Sequence, residues 1–270
     1  MIPSTFSYQR AGSVEEAVSL ASEHGDDAKF LAGGHSLLPL MKLRLAAPEV
    51  IIDLGGLHDL SYVNDQGSYV AIGALTRHHD VATSALLTAE IPLLAHTAGE
   101  VGDPQIRHRG TIGGSLAHAD PSADLPMTLL ALGGSVEITG PSGVRVVGAD
   151  DFFVGPFESA LGPDELLSAV RVPRGGAVPW GYQKFVRRAN DWAIAGAAAY
   201  GGRVALASMG GTPLRATATE EALKSGASIE EAAQLAAEGT SPGYDFHADV
   251  DYRGHLARVL TRRALEGKAG

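Results

Sequence analysis

Two short segments that each contain a Gly-Gly pair place the strongest constraint on how this chain folds. The first glycine segment, residues 32–36, reads Ala-Gly-Gly-His-Ser after an apolar stretch, and the second, residues 111–115, reads Thr-Ile-Gly-Gly-Ser. A buried strand that runs into two glycines and then into a helix N-terminus exposes consecutive backbone N–H groups, which can surround a phosphate without obstruction by side chains. One such pair is also compatible with an ordinary tight turn. The repetition favours a site for a diphosphate.

Neither glycine segment matches the common nucleotide-binding fingerprints. No Gly-Lys-Ser/Thr follows the first, which excludes a Walker A loop, and the spacing is not G-x-G-x-x-G. A dense polar stretch, residues 118–126, follows the second segment. Within it Asp120 is expected to cap a helix that Pro121 begins, and Asp124 is expected to accept hydrogen bonds from sugar hydroxyls. The alternative, in which both aspartates only cap helices and form turns, suits Asp120 better than Asp124.

The composition limits the partners and the chemistry that are available to the chain. Thirty-one acidic and twenty-one basic side chains give a net charge of −10, which disfavours nucleic acid and anionic lipid surfaces. An anionic ligand must therefore be held by backbone dipoles and a few placed cations. The absence of cysteine excludes disulfides, thiolate nucleophiles and Cys-ligated iron-sulfur clusters within the chain. No apolar run approaches the roughly 20 residues that span a bilayer, and no signal peptide is visible, so a cytoplasmic chain without a transmembrane segment is expected.

The hydrophobic pattern predicts a small β-α-β unit at the N-terminus. Residues 13–16 match a capping box, so a helix is expected to begin there and to stop at His24-Gly25. Residues 28–32 and 50–53 are typical of buried strands, with a helical turn over residues 36–44 between them. A mixed α/β region follows. Its expected helices cover residues 76–86 and 91–101, and its expected strands cover residues 69–72, 136–139, 144–147 and 166–172.

The remainder of the chain predicts a second domain. Residues 173–179 have the composition of a linker. Beyond them, a small sheet covered by helices is expected, with strands over residues 181–187 and 203–209 and helices that start near Thr217, Ser228 and Asp251. The predicted domains are residues 1–174, with subdomains of about 1–55 and 56–174, and residues 180–270.

Other polar clusters give weaker signals. Residues 78–80, His-His-Asp, and the pair His118 and Asp120 do not supply the three or four convergent ligands of a metal site, so no metal is predicted. Ser115 has no obvious base partner, and no catalytic residue is predicted in the chain. Residues 107–109, Arg-His-Arg, are expected to form a turn that is either solvated or beside a cofactor.

The two glycine segments and their surroundings resemble a known family. Residues 32–44, together with residues 111–115 and 119–124, look like the two flavin-binding motifs of the FAD subunits of molybdenum hydroxylases. The resemblance is greatest to the medium subunit of aerobic carbon monoxide dehydrogenase, and the family includes the FAD domain of xanthine dehydrogenase. It runs from Phe6 to about Ala216, and the stretch from Gly201 to Ala216 is compressed relative to the family pattern.

The resemblance implies an α+β fold of the vanillyl-alcohol-oxidase (PCMH) type, in which two N-terminal α/β subdomains enclose FAD and a C-terminal small antiparallel sheet plus helices covers it. Trp192 stands in an Asp-Trp-Ala context where relatives often have Asp-Tyr-Ala, and an indole can still cover a ring face. The residues that the resemblance assigns to the cofactor are Lys29, Phe30, Leu31, Ala32, Gly33, Gly34, His35, Ser36, Val101, Thr111, Ile112, Gly113, Gly114, Ser115, Asp124, Leu166, Lys184 and Trp192.

The implied function is that of the FAD-carrying electron-transfer subunit of a heterotrimeric molybdenum hydroxylase. Its expected partners are a large subunit with the molybdenum cofactor and a 2Fe-2S small subunit, in an (αβγ)2-type complex that passes electrons to an external acceptor. A stand-alone flavin oxidoreductase of the same fold is the alternative, and it would need its own substrate base beside the flavin. A scaffold that has lost the flavin is a third, less favoured hypothesis, because empty loops need no close backbone approach.

Overall fold

The N-terminal part of the chain forms a parallel β-α-β unit. The computed structural model describes residues 2–267. The elements of this unit are β1 Ser7–Arg10, α1 Val14–His24, β2 Ala28–Leu31, α2 Leu37–Leu43 and β3 Val50–Asp53. The sheet order is β1-β3-β2 with both pairings parallel, so the first glycine segment leaves the sheet at its carboxyl edge. The side chain of Ser13 accepts a hydrogen bond from Glu16 N and Gly25 ends α1, which confirms the predicted first helix.

The middle of the chain builds a five-stranded antiparallel sheet in the order β4-β5-β10-β6-β7, with helices on it and a separate two-stranded ribbon of β8 and β9. The elements are β4 Val63–Asp65, β5 Tyr69–Gly73, α3 His78–Thr83, α4 Ala85–Glu90, α5 Pro92–Glu100, α6 Pro104–Arg107, α7 Ile112–His118, α8 Asp124–Leu132, β6 Ser135–Gly140, β7 Gly143–Gly148, α9 Ala149–Phe152, β8 Phe153–Gly155, β9 Glu158–Ser159 and β10 Leu166–Pro173.

The C-terminal part forms a four-stranded antiparallel sheet in the order β11-β12-β13-β14. Its elements are β11 Trp180–Phe185, β12 Ala195–Tyr200, β13 Arg203–Ala207, β14 Leu214–Arg215, α10 Thr217–Lys224, α11 Ile229–Gln234 and α12 Val250–Leu265. Residues 268–270 of the predicted second domain lie outside the described residues. The mixture of helices with antiparallel sheets confirms the predicted α+β class.

Helix α8 joins the middle and C-terminal parts of the molecule. All nine of its residues are buried, as expected for a helix that is apolar on every side. It packs on α5 and on strands β12 and β13. Strand β12 is correspondingly covered on both faces, by α8 on one side and by α12 on the other, and all six of its residues are buried. This strand was absent from the sequence prediction because its Ala-Gly-Ala-Ala-Ala-Tyr run has little intrinsic β propensity.

Two predicted helices have different boundaries in the structure. The helix expected over residues 76–86 is two helices, because Ser84 has extended backbone angles and its side chain caps α4 by accepting from Leu87 N. The helix expected to begin at Pro121 begins at Asp124. The side chain of Asp120 accepts from Ser122 N, so it stabilises a turn instead of a helix start. No helix within residues 2–267 is long and apolar enough to cross a lipid bilayer.

Candidate functional site

The two glycine segments contact each other. A Cβ atom on Gly33 would lie only 2.4 Å from the carbonyl oxygen of Arg109 and 2.8 Å from Cα of Gly110, so only glycine permits this approach of the two backbones. A Cβ atom on Gly114 would lie 3.8 Å from Cβ of Ala32. The first residues of the two segments, 32 and 111, are 79 positions apart in the sequence, and the structure brings the segments into contact.

The first glycine segment presents unused backbone donors. Within the described part of the chain, the N–H groups of residues 32–36 have no acceptor at hydrogen-bonding distance. Two carbonyls of this segment accept hydrogen bonds, since Leu38 N donates to Gly34 O and Leu40 N donates to Ser36 O. Gly34 takes the left-handed backbone conformation, φ +78°, that turns the chain into α2. Consecutive free amides at the carboxyl edge of a parallel sheet fit a phosphate group.

The second glycine segment is not a second loop of free donors, which corrects the prediction made from the sequence. It is the N-cap and first turn of α7, where Thr111 is the capping residue. All four amides of this turn donate to protein oxygens. The pairs are Ile112 N to Thr76 O at 3.0 Å, Gly113 N to Ala74 O at 2.9 Å, Gly114 N to Thr111 Oγ1 at 3.1 Å and Ser115 N to Thr111 O at 3.0 Å. Its glycines serve close packing, because a Cβ atom on Gly113 would lie 2.5 Å from Cβ of Ala74.

Basic side chains surround the contact between the glycine segments, although the whole chain is acidic. Arg77 Nη1 donates to the carbonyl of Arg109, the residue whose backbone meets Gly33. Burial first, and then the neighbouring charge of Arg109, lowers the pKa of Arg77. The rings of His79 and His108 stack beside them with their centroids 4.2 Å apart. Positive charge is therefore concentrated where an anionic ligand would meet the free amides.

A cavity of about 350 Å³ opens beside the first glycine segment. Lys29 and Phe30 from β2 and Ala117 from α7 line it, and the loop before β10 closes one side. The hydroxyl of Ser22 donates to Asp164 Oδ2 at 3.2 Å and ties α1 to that loop. The lining combines the aromatic ring of Phe30 with polar side chains such as Lys29 and Glu165, and a pocket of mixed lining close to free amides has the character of a nucleoside subsite.

Asp124 and Lys184, predicted cofactor contacts 60 residues apart, form a buried ion pair. Lys184 Nζ donates to Asp124 Oδ2 at 3.0 Å, and the two side chains are only 8% and 4% exposed. The Tyr182 hydroxyl donates to the other carboxylate oxygen, Oδ1, at 2.7 Å. Burial raises the pKa of Asp124, and the Lys184 charge opposes that shift. Because each oxygen of Asp124 accepts a protein hydrogen bond, the structure shows this carboxylate as an anchor for Lys184, and its expected contact with sugar hydroxyls stays a prediction.

The remaining predicted residues differ in exposure and in local contacts. Val101 uses its carbonyl to accept from Arg107 Nη1 at 3.1 Å, and Leu166 is buried at the start of β10. Trp192 is 57% exposed in the loop between β11 and β12. The next residue in that loop, Ala193, accepts a hydrogen bond from the Ser208 hydroxyl at 2.6 Å. The role of Trp192 against a flavin ring stays a prediction.

Tyr182 was missed from the sequence. A tyrosine within a strand is ordinarily a core residue, and nothing in its own neighbourhood marks it as polar in function. The available signal was the Tyr-Gln-Lys spacing in β11, since residues two apart in a strand point to the same face. That spacing places the Tyr182 hydroxyl beside Lys184 against the same carboxylate.

Comparison with known proteins shows which family the chain belongs to. The family model for the FAD binding domain in molybdopterin dehydrogenase matches residues 4–175, and that for the CO dehydrogenase flavoprotein C-terminal domain matches residues 180–267. The carbon monoxide dehydrogenase medium chain of Afipia carboxidovorans is 40% identical over 98% of this chain and 97% of its own length. The nicotine 6-hydroxylase medium subunit of Paenarthrobacter nicotinovorans is 36% identical over 96% of this chain and 95% of its own length.

A solved structure of carbon monoxide dehydrogenase from Hydrogenophaga pseudoflava superimposes with a TM-score of 0.96, 42% identity, and coverage of 99% of this chain and 98% of that one. Quinoline 2-oxidoreductase from Pseudomonas putida 86 gives a TM-score of 0.92 at 32% identity, with coverage of 98% and 97%. The chain belongs to the family of FAD-binding subunits of the molybdopterin dehydrogenases, carries FAD as its cofactor, and is a flavoprotein component of an oxidoreductase of the molybdenum hydroxylase type.

Proposed function

We propose that this chain is the electron-transfer subunit of a heterotrimeric molybdenum hydroxylase. In this proposal it receives electrons from the 2Fe-2S clusters of a small subunit, after a large subunit with the molybdenum cofactor has oxidised the substrate, and passes them to an external acceptor. The names of the relatives, medium chain and medium subunit, describe components of larger enzymes. The chain has no cysteine to ligate clusters, so the proposal assigns the clusters to a partner.

The observation that carries the proposal is the contact between the two glycine segments. It places the free amides of residues 32–36 beside the backbone of Arg109, to which the guanidinium group of Arg77 donates a hydrogen bond. In our proposal these groups hold the diphosphate of FAD, and the cavity lined by Lys29 and Phe30 takes its adenosine end. FAD supplies the ability to take electrons singly and to release them as a pair.

The other predicted contacts are assigned to the rest of the cofactor. Lys184, held by Asp124, reaches the site from the C-terminal sheet, and Trp192 covers the flavin ring from the loop after β11. We also retain the proposed division into residues 1–174 and 180–270. Separate sheets on either side of residues 174–179 and the two family models that meet there support it.

Electron transfer can be tested with a flavin-free variant of the chain. The partner subunits, reduced with dithionite and desalted, should be reoxidised when the FAD-loaded full chain and ferricyanide are added. The Gly33→Ala chain should fail, because the new methyl group would displace the carbonyl of Arg109 and separate the two segments. Gly243→Ala is the matched control, since a Cβ atom there meets nothing within 4 Å.

The measurements are the flavin absorbance of each purified chain and the rate of cluster reoxidation. We expect wild type and Gly243→Ala to be yellow and to support transfer, and Gly33→Ala to be colourless and inactive. Transfer by a flavin-free chain at the wild-type rate would contradict the proposal. Oxidation of small substrates by the isolated FAD-loaded chain, without partners, would favour a stand-alone flavin oxidoreductase instead.

A further inference from the structure

The hydroxyl of Tyr182 is a buried polar group for which the assigned cofactor contacts give no role. The side chain is fully buried, and its ring lies edge-on against His96 of α5 with the centroids 5.5 Å apart. Its only described polar contact is the 2.7 Å hydrogen bond to Asp124. We propose that Tyr182 is a positioning residue for FAD, which acts by fixing the Asp124 carboxylate and, through it, the Lys184 ammonium group. This inference rests on the proposed FAD site.

The Asp124 carboxylate links the other two side chains, because Tyr182 and Lys184 each donate a hydrogen bond to it. A buried carboxylate is stable only when its charge is paired and its lone pairs are satisfied. Tyr182 supplies a donor to one oxygen of Asp124 and Lys184 supplies a donor to the other. An ammonium group has three donors, and Asp124 is the one protein acceptor described for Lys184 within residues 2–267. The ammonium can therefore offer two donors to a ligand.

The three side chains also connect two parts of the molecule. Asp124 is the first residue of α8, within the part matched by the FAD-binding family model, and Tyr182 and Lys184 lie on β11 of the C-terminal sheet. Both donors come from one face of one strand. Through these two hydrogen bonds the Asp124 carboxylate fixes the Lys184 ammonium of β11 against the first turn of α8.

The charged and titratable groups that face Asp124 determine how the effect depends on pH. Lys184 and Tyr182 face it from β11, and Glu100 acts on it from α5, where His96 contacts the Tyr182 ring. Burial raises the pKa of Asp124 and Glu100 adds to that shift, whereas the Lys184 charge and the two hydrogen bonds lower it. Burial and the Asp124 charge raise the pKa of Tyr182 well above its ordinary value, so its hydroxyl remains a donor.

Tyr200 provides a matched control on the neighbouring strand β12. It is also a buried tyrosine of the C-terminal sheet, but its hydroxyl has no hydrogen-bond partner in the described part of the chain. Removal of the Tyr200 hydroxyl therefore takes no hydrogen bond away from a carboxylate. Tyr182→Phe and Tyr200→Phe therefore make the same chemical change, and only the first removes a hydrogen bond to Asp124.

The test is the dissociation constant of FAD, measured on the full chain by flavin fluorescence from about pH 5 to about pH 8. We expect Tyr182→Phe to weaken FAD binding about tenfold near neutral pH, because a hydrogen bond to a charged group is lost. Without that bond Asp124 is protonated more easily, so the loss of affinity in acid should begin at a higher pH than in wild type. Tyr200→Phe should match wild type throughout.

Asp124→Asn provides an independent second variant. It removes the titrating group, so its FAD affinity should lack the acid-dependent step, and adding Tyr182→Phe to it should cost much less than in wild type. If Tyr182→Phe binds FAD as wild type does, or more weakly by one factor at every pH as a packing defect would, the inference is overturned. A wild-type chain that binds no FAD would instead overturn the proposed site itself.

Discussion

His78 is a buried imidazole next to the second glycine segment. Its backbone N–H donates to the carbonyl of Gly110 at 3.1 Å, and a Cβ atom on Gly110 would lie 2.7 Å from its Nε2 atom. Its Nδ1 atom has no partner within the described residues. Burial lowers the pKa of His78 to about 4, and the nearby charges of His35, Arg77 and Arg107 contribute to the shift. The folded chain therefore contains a neutral imidazole at this position.

This lowered pKa predicts a loss of stability in mild acid. The unfolded chain binds a proton at His78 near pH 6.5, whereas the folded chain does so only near pH 4, so unfolding becomes easier as the pH falls between those values. Between these two pH values, protonation of His78 lowers the free energy of unfolding by roughly 3 kcal/mol. At still lower pH this residue causes no further loss. We expect His78→Gln to remove this part of the pH dependence of the unfolding free energy, measured in urea.

His58→Gln is the control for that experiment, because His58 is exposed. The His58→Gln chain should lose as much unfolding free energy as wild type does when the pH falls from about 6.5 to about 5. An unchanged pH dependence in His78→Gln would show that His78 is not held neutral by the fold.

Single residues were predictable where the residue type itself reports the geometry. Gly33 had to be glycine for two backbones to meet, and Asp124 was marked by the dense polar stretch of residues 118–126. Their partners were not predictable in the same way. The Tyr182 hydroxyl bonds Asp124 across 58 residues of sequence, and the buried state of His78 depends on how α3 packs under a distant turn.

At the scale of elements, the two glycine segments have opposite hydrogen-bonding states. The amides of residues 32–36 have no protein acceptor in the described part of the chain, whereas those of residues 112–115 all donate to protein oxygens. Amide hydrogen exchange reports this difference, since unpaired exposed amides exchange quickly and paired ones exchange through local opening. The two glycine segments look alike in sequence, but the exchange rates of their amides should differ.

We expect residues 32–36 to exchange rapidly in the apo chain and at least about tenfold more slowly with FAD in large excess over its dissociation constant. Residues 112–115 should be protected in both states, with a smaller change. The amide of Gly243, in an open loop, is the internal control. Equal protection of both segments without FAD, or no response of residues 32–36 to FAD, would contradict the assignment of the first segment as the phosphate cradle.

Elements with a clear start signal were the most predictable. Helix α1 begins at its Ser13 cap, and α11 follows a full capping box at Ser228. The second glycine segment was read as a loop because two glycines disfavour a helix locally. Tertiary contacts decide otherwise, since the cap on Thr111 and the bonds to the turn after β5 hold α7 in place.

At the scale of the whole molecule, the proposed site draws on the three larger sheets. The parallel sheet supplies the first glycine segment, α7 and α8 on the five-stranded sheet supply the second segment and Asp124, and β11 of the C-terminal sheet supplies Lys184. The sequence predicted these parts separately. The pairing of Asp124 with Lys184 depends on α8, whose burial against β12 and β13 no local pattern could specify.

A ligand held by parts of all three sheets should stabilise the chain against global unfolding. At a concentration of one hundred times its dissociation constant, FAD is expected to add about 2.7 kcal/mol. For a chain of this size that corresponds to a rise in the midpoint of thermal unfolding of roughly 5–10 °C. Because we assign the free amides and the adjacent Arg77 to the diphosphate, riboflavin, which lacks it, should give little stabilisation at the same concentration. FMN, with one phosphate, should be intermediate. Thermal unfolding followed by circular dichroism would decide, and an equal rise with riboflavin and FAD would contradict the assignment of the glycine segments to the diphosphate.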